Sequence, residues 1–204
     1  LGRHFCLRLA EAGYDVMVNY LTSEADADSL LAEMSAHGSA WTHRADIANL
    51  TEVEALFAAA DATGRNLALV INNVGIYDPI PLRRISGAAW ERTFAVNLNG
   101  AFHVCRSALE RLRHGGQIVN IGVAACQLNR AERVATDYYV SKAALLQLTR
   151  TLAAEYAADG IRLNMVSPGQ LVNSIGEAGG APGHVPLGRD GAFDDVWDAI
   201  AYLL

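Results

Sequence analysis

Tyr138 and Lys142 stand four residues apart in the run Tyr138-Tyr139-Val140-Ser141-Lys142. Inside a helix that spacing puts both side chains on one face, one turn apart. A phenol with its ordinary pKa near 10 is a poor proton donor or acceptor at neutral pH, whereas a neighbouring ammonium favours the phenolate and suits tyrosine to proton transfer. Tyr139 lies three residues from Lys142 and competes with Tyr138 on reach alone. Such pairs also arise by chance on helix faces, so the pair acquires meaning only from what surrounds it.

The surroundings are polar and glycine residues at the ends of expected strands. Asn72-Asn73-Val74-Gly75 follows the apolar run 67–71, Asp46 follows the weaker strand 40–45, and Pro168-Gly169 follows the strand 161–166. Asn97 lies in a helical stretch before the strand 117–121. A parallel sheet binds its ligand at these carboxyl ends.

The elements that must position these residues alternate in type. A helix over 1–12 stops at Gly13, and a strand over 15–20 carries Val16 and Val18. Ser23 caps a second helix, with Leu30, Leu31 and Met34, that ends at Gly38. Asn49-Leu50-Thr51-Glu52 has the capping-box pattern and opens a third helix closed by Gly64. After strand 67–71 and a loop with Pro79 and Pro81, the pattern predicts one helix over 86–112, strand 117–121, a helix over 137–158 and strand 161–166. Ser167-Pro168-Gly169 breaks the pattern, Gly176 to Gly183 reads as a mobile glycine-rich loop, and a helix resumes over 190–204. Strands separated by helices predict right-handed crossovers: an α/β fold, a Rossmann-like doubly wound parallel sheet with helices on both faces, in a single domain over 1–204.

Composition narrows the classes. The 204 residues are 51% hydrophobic and 19% charged, which excludes intrinsic disorder. A formal net charge of −6 argues against a general nucleic-acid or anionic-membrane surface. Cys6, Cys105 and Cys126 are too scattered for a disulfide framework, and the histidines lack ligand spacing, so no metal is expected. With no apolar run near 20 residues and no signal peptide, a cytoplasmic protein acting on a small molecule is expected.

In order along the chain, Leu1-Gly2, Asp46-Ile47, Asn72-Asn73-Val74-Gly75, Asn97, Tyr138 with Lys142, Pro168-Gly169 and Pro186-Leu187-Gly188-Arg189 resemble the motifs of the short-chain dehydrogenase/reductase family in its classical form. The likeness spans essentially the whole chain and is closest to 3-oxoacyl-[acyl-carrier-protein] reductases. It implies reduction of a carbonyl, of 3-oxoacyl type or a related ketone, to an alcohol by hydride transfer. Tyr138 would be the general acid, or the base in reverse. Lys142 would hold the nicotinamide ribose and lower the Tyr138 pKa, and Asn97 would support a water that relays protons to Lys142. Gly2 would let a helix N-terminus approach the pyrophosphate. Asp46 and Ile47 would contact adenine, Asn73, Val74 and Gly75 would line the adenosine-ribose side, and Pro168, Gly169 and Leu171 would complete the cofactor set. Asn173, or Ser174 beside it, stands where the family often has a threonine bonding the nicotinamide amide. The family pattern also implies a glycine-rich loop and strand before Leu1 and a strand after Leu204.

The strand at 15–20 ends in Asn19-Tyr20, without the acid that would bond a ribose 2′-hydroxyl and repel a 2′-phosphate, and Arg3 follows the glycine motif. NADP(H) is therefore expected over NAD(H). The substrate is expected under the loop from Gln170 to about His184, with Leu171, Val172 and Ile175. One departure stands out. The family's tetrad serine falls within Gly122-Val123-Ala124-Ala125, and by register Val123 occupies its position. Losing a comparable oxyanion donor costs roughly 100- to 1,000-fold. The chain thus reads as a reductase with a nonstandard carbonyl-binding group. The alternatives are a pteridine-reductase-like NADPH enzyme, or a dinucleotide-binding sensor or partner with weakened catalysis. Retention of Tyr138 and Asn97 favours an enzyme, since a binder would need only Lys142. The family further implies a homotetramer or homodimer pairing helices 86–112 and 137–158, the latter with a small face at Ala143, Ala144, Ala153, Ala154 and Ala157.

Overall fold

The structure, a computed structural model, describes residues 1–128, 132–172 and 185–204. Helix α1 (Gly2–Glu11) closes as its sequence demands. Gly13 takes φ 88°, and the N–H groups of Gly13 and Tyr14 bond back to the carbonyls of Ala10 and Leu9. Strand β1 (Val16–Tyr20) follows, then α2 (Glu24–Met34), β2 (Ala40–Arg44) and α3 (Leu50–Ala62). Ser23 occupies the N-cap position of α2 without a side-chain cap bond, and α2 stops at Met34 rather than Gly38. The Ser35 hydroxyl takes the Ala32 carbonyl there and ends the helix early. At α3, Asn49 accepts from the Thr51 N–H as a cap should. Glu52 reaches past its expected partner, to the Asp46 N–H and the Asn49 carboxamide.

Strand β3 (Leu69–Asn72) leads to α4 (Gly87–Phe94). The single helix expected over 86–112 is instead three pieces: α4, a π-helical turn Ala95–Gly100, and α5 (Ala101–Leu109). Gly100 closes that turn against the segment after β2, where a Cβ would lie 2.8 Å from Ile47 Cγ1. Strand β4 (Gln117–Ile121), the short α6 (Ala124–Gln127), α7 (Thr136–Glu155), β5 (Arg162–Val166) and α8 (Phe193–Leu203) complete the order. Helix α7 ends three residues before 158; a 3-10 turn over Ala157–Asp159 then brings Gly160 to φ 68°.

All pairings are parallel: β1 with β2, and β3 with β4 with β5. Alternation along β4 sends Ile118 into a core with α3 and α5, and Val119 and Ile121 into another with Phe5 of α1 and Trp197 and Ile200 of α8. Helices therefore cover both faces. Between β1 and β3 lies a cavity of about 560 Å³ lined by Val16–Asn19 on one side and Leu67–Asn72 on the other. Neither strand has a hydrogen-bonded neighbour on that side among the described residues. Leu69, Val70 and Ile71 are consequently only half-buried, short of the full burial that their apolar run predicts.

One polar network crosses the core. Asn72 Nδ2 donates to Asn120 Oδ1 at 2.8 Å, and Asn120 Nδ2 donates to Thr149 Oγ1 at 2.8 Å, tying β3, β4 and α7 together. Asn120 is fully buried. Asn120→Ala would leave the Asn72 amide and Thr149 without these partners, and a loss of roughly 2–4 kcal/mol is expected in urea unfolding. Among the described residues, no helix is long and apolar enough to cross a membrane, and no group of three His, Cys, Asp or Glu side chains could hold a metal ion.

Candidate active site

The carboxyl ends of β3, β4 and β5 converge on the first two turns of α7. Lys142 is 4% exposed, and its Nζ donates to the Ile121 carbonyl at the end of β4, at 2.8 Å. The ammonium lies 5.9 Å from the Tyr138 ring centroid. Burial pulls Lys142 down to about 8. Burial pushes Tyr138 up to about 12, helped by the neighbouring Cys126 and Tyr77. Burial is the main cause of the phenol's upward shift, and the Lys142 ammonium is engaged by a main-chain oxygen.

The lysine makes a pH test possible. Between about pH 8 and its ordinary 10.5, Lys142 is protonated in the unfolded chain but not in the folded one, so stability rises with pH in that window. Lys142→Met removes the buried charge. The variant is expected to melt above wild type at pH 7, with the gap closing as pH climbs from 8 toward 10. A pH-independent gap would contradict this.

Asn97 sits in the π-helical turn, 1% exposed. Its Oδ1 accepts from the Ile76 N–H at 2.8 Å, and its Nδ2 donates to the Ile76 carbonyl at 3.0 Å and to Ser141 Oγ at 3.2 Å. Ser141 Oγ in turn donates to the Tyr138 carbonyl at 2.7 Å. A Cβ on Gly75 would lie 3.3 Å from Lys142 Nζ and 3.4 Å from Asn97 Oδ1, so Gly75, Asn97 and Lys142 share one corner.

The nucleotide-side residues divide. Asn73 packs on Gly2, where a Cβ would meet Asn73 Nδ2 at 2.8 Å; the start of α1 beside it has no side-chain cap and no acidic residue in its first turn. Val74 is exposed beside them. Asp46 turns its carboxylate onto the Ala48 N–H, and Ile47 points into the core. The Asn19 amide donates to the carbonyls of His43 and Ala45. The Arg3 guanidinium pairs with Glu33 and bonds the Asp26 carbonyl, fastening α1 to α2. The Pro168 carbonyl accepts from the Ala124 N–H, Gly169 stands open, and Leu171 bridges to Gly191 and packs with α1 and α8. Asn173, Ser174, Ile175 and the stretch Gly176 to Gly183 lie outside the described residues.

These features fit a dinucleotide. Glycines stand where a side chain would collide with Asn73 or crowd Lys142, a helix start offers free N–H groups to an anion, and a buried ammonium waits at the strand ends. The cavity between the half-sheets shares Gly2, Arg3, Asn19, Ile47, Asn73 and Val74 with the nucleotide side, and Tyr138 is not among its lining.

Val123, extended at the start of α6, has no side-chain hydrogen-bonding group. Ser167 Oγ, buried without a hydrogen-bond partner among the described residues, lies where a Cβ on Gly122 would be 2.5 Å away. Sequence reasoning missed Tyr77, whose ring meets Tyr138 edge-on at 4.9 Å, and Ala135, held at φ 54° just before α7. No local pattern marks either, because both depend on contacts between distant segments.

A family model described as enoyl-(acyl carrier protein) reductase matches residues 1–204. An uncharacterized oxidoreductase of Escherichia coli, YgfF, is 34% identical over 100% of this chain and 88% of its own. A crystallised short chain dehydrogenase from Burkholderia cenocepacia in complex with NADP superposes with a TM-score of 0.90 at 29% identity, covering 98% of this chain and 83% of that one. The chain belongs to the short-chain dehydrogenase/reductase family. Among other members of that family, the 3-oxoacyl-[acyl-carrier-protein] reductase FabG of Staphylococcus aureus is 29% identical over all of this chain and 85% of its own. In this short-chain dehydrogenase/reductase, then, a tyrosine and a buried lysine one turn apart sit beside Asn97 and Gly75 on a doubly wound parallel fold.

Proposed function

We propose that the protein is an NADP(H)-dependent reductase that converts a carbonyl, in a 3-oxoacyl thioester or a related ketone, to the alcohol. The observation that carries this reading is the corner shared by Gly75, Asn97 and Lys142, one helical turn from the Tyr138 phenol. A bound nicotinamide dinucleotide supplies the hydride. Tyr138 gives its hydroxyl proton to the oxygen that becomes the alcohol. Lys142 holds the ribose, and Gly2 with the start of α1 receives the pyrophosphate. Asn73, Val74, Gly75, Asp46 and Ile47 border the adenosine side. Preference for NADP(H) is supported by the missing acid at Asn19-Tyr20 and by the NADP complex of the Burkholderia relative. The likeness to FabG supports the thioester.

A second reading, a dinucleotide-binding protein with weakened catalysis, is favoured by Val123 alone. NADPH oxidation followed at 340 nm separates the two, using a 3-oxoacyl thioester, an enoyl thioester, a pteridine and small ketones, with NADH in parallel. Turnover on a carbonyl supports the reductase; NADPH binding without turnover on any of them supports the second reading.

The protein is further proposed to act as a homodimer or homotetramer in the cytoplasm. The outer side of α7 leaves Val140, Ala143, Ala154 and the neighbouring Ala157 exposed, and Cys6, Cys105 and Cys126 are free thiols that suit a reducing compartment.

A further inference from the structure

We propose that Tyr77 is the positioning residue of the Tyr138 phenol, its ring held in place by Asn97 through the main chain of Ile76. This rests on Tyr138 being the proton donor. No hydrogen bond holds the Tyr138 hydroxyl among the described residues, and Val123 supplies no group that could. What fixes the ring is packing: Tyr77 meets it edge-on at 4.9 Å and 77°, and Tyr139 at 5.2 Å and 82°. Edge-to-face contacts of this kind are directional and orient the ring as well as bury it.

Tyr77 can impose an orientation only if its own loop is fixed, and that loop is stapled at both ends. On one side the buried Asn97 clamps the N–H and the carbonyl of Ile76. On the other, the Ala135 N–H donates to the Ile80 carbonyl at 2.8 Å, tying the loop to the residue from which α7 starts. The loop is therefore tied by hydrogen bonds both to Asn97 and to the start of the helix that carries Tyr138. Tyr138 thus sits between two rings, one from the loop and one from its own helix.

The titratable and charged groups facing Tyr138 are Tyr77 from this loop, Tyr139 and Lys142 from α7, and Cys126 from α6, with Glu132 beside Tyr139. Removing the Tyr77 ring admits water to the phenol and relieves the burial that is the main cause of its raised pKa. The Tyr138 pKa then falls from about 12 toward the ordinary value.

The test uses Tyr77→Ala, Tyr77→Leu as a second ring-free variant should the first fail to fold, and Tyr77→Phe, which keeps the ring. Two readouts are taken on the full protein. The first is kcat and KM for the best carbonyl substrate, with the pH profile of kcat. A misplaced reacting group costs up to about 100-fold, so kcat is expected to drop by about that factor in the ring-free variants, with KM little changed, and to be restored in Tyr77→Phe. The second needs neither substrate nor cofactor. It is the ultraviolet difference absorbance of phenolate at pH 10, near the ordinary phenol pKa, each protein read against its own Tyr138→Phe counterpart. A Tyr138 phenolate is expected in the ring-free variants and not in wild type or Tyr77→Phe. Unchanged kcat in a folded ring-free variant overturns the proposal. An unchanged phenolate signal, or equal losses in Tyr77→Phe and Tyr77→Ala, overturns it too. If wild type turns over no carbonyl, the reductase reading fails on its own, and the phenolate signal still decides whether Tyr77 governs Tyr138.

Discussion

Replacing Tyr138 by phenylalanine is expected to lower carbonyl reduction by about 10²- to 10⁴-fold, the usual worth of a positioned general acid, while dinucleotide binding persists. The substitution is clean on structural grounds. The ring contacts with Tyr77 and Tyr139 depend on the aromatic body and survive, and the hydroxyl that is lost makes no hydrogen bond among the described residues. Lys142 keeps its bond to Ile121, and Asn97 keeps Ile76 and Ser141. Fluorescence titration with NADPH should therefore match wild type. Tyr139→Phe is the paired control. Tyr139 lies one residue further along α7, its ring edge-on to that of Tyr138, so a change of only a few-fold is expected. A large loss in Tyr139→Phe with a small one in Tyr138→Phe would reverse the assignment between the two phenols.

The opposite effect is expected at position 123. Val123→Ser places a hydroxyl at the end of β4, where the chain turns into α6, and kcat/KM for a carbonyl substrate should rise by about 100-fold, the lower range for one oxyanion donor. The site tolerates the change: valine is half-buried and extended there, and serine is smaller. Serine is also a good N-cap where valine makes no cap bond, so the variant should be at least as stable as wild type. An unchanged kcat/KM would mean that another donor, such as a main-chain N–H, already polarises the carbonyl.

Much of this arrangement was legible before any coordinates because its signals are local. A glycine at a strand end, a prolyl-glycine after another and a tyrosine four residues before a lysine each report backbone or helix geometry within a few residues. What stayed hidden was decided by partners far along the chain. Arg3 read as a cation near a phosphate, and its ion pair with Glu33, thirty residues on, was not legible from spacing. Spacing put Lys142 on the face of Tyr138, but spacing does not weigh desolvation against charge, and Ile121 takes the ammonium. The interruption at Ala95–Gly100 left no trace in a hydrophobic pattern that runs on through it. Tyr77 carried no signal at all, since its meaning lies in a ring from sixty residues away.

A π-helical turn is an α-helix holding one residue more than its pitch wants, which is a less comfortable conformation than the regular helix on either side. Here the surplus residue is what swings Asn97 inward to Ile76. Deleting a solvent-facing neighbour such as Asn99 would let α4 and α5 run together as one unbroken helix, with the carboxamide turned away by roughly a residue's 100° step. The shortened protein would lose its grip on the loop it was built to hold, leaving the Ile76 N–H and carbonyl without their buried partner.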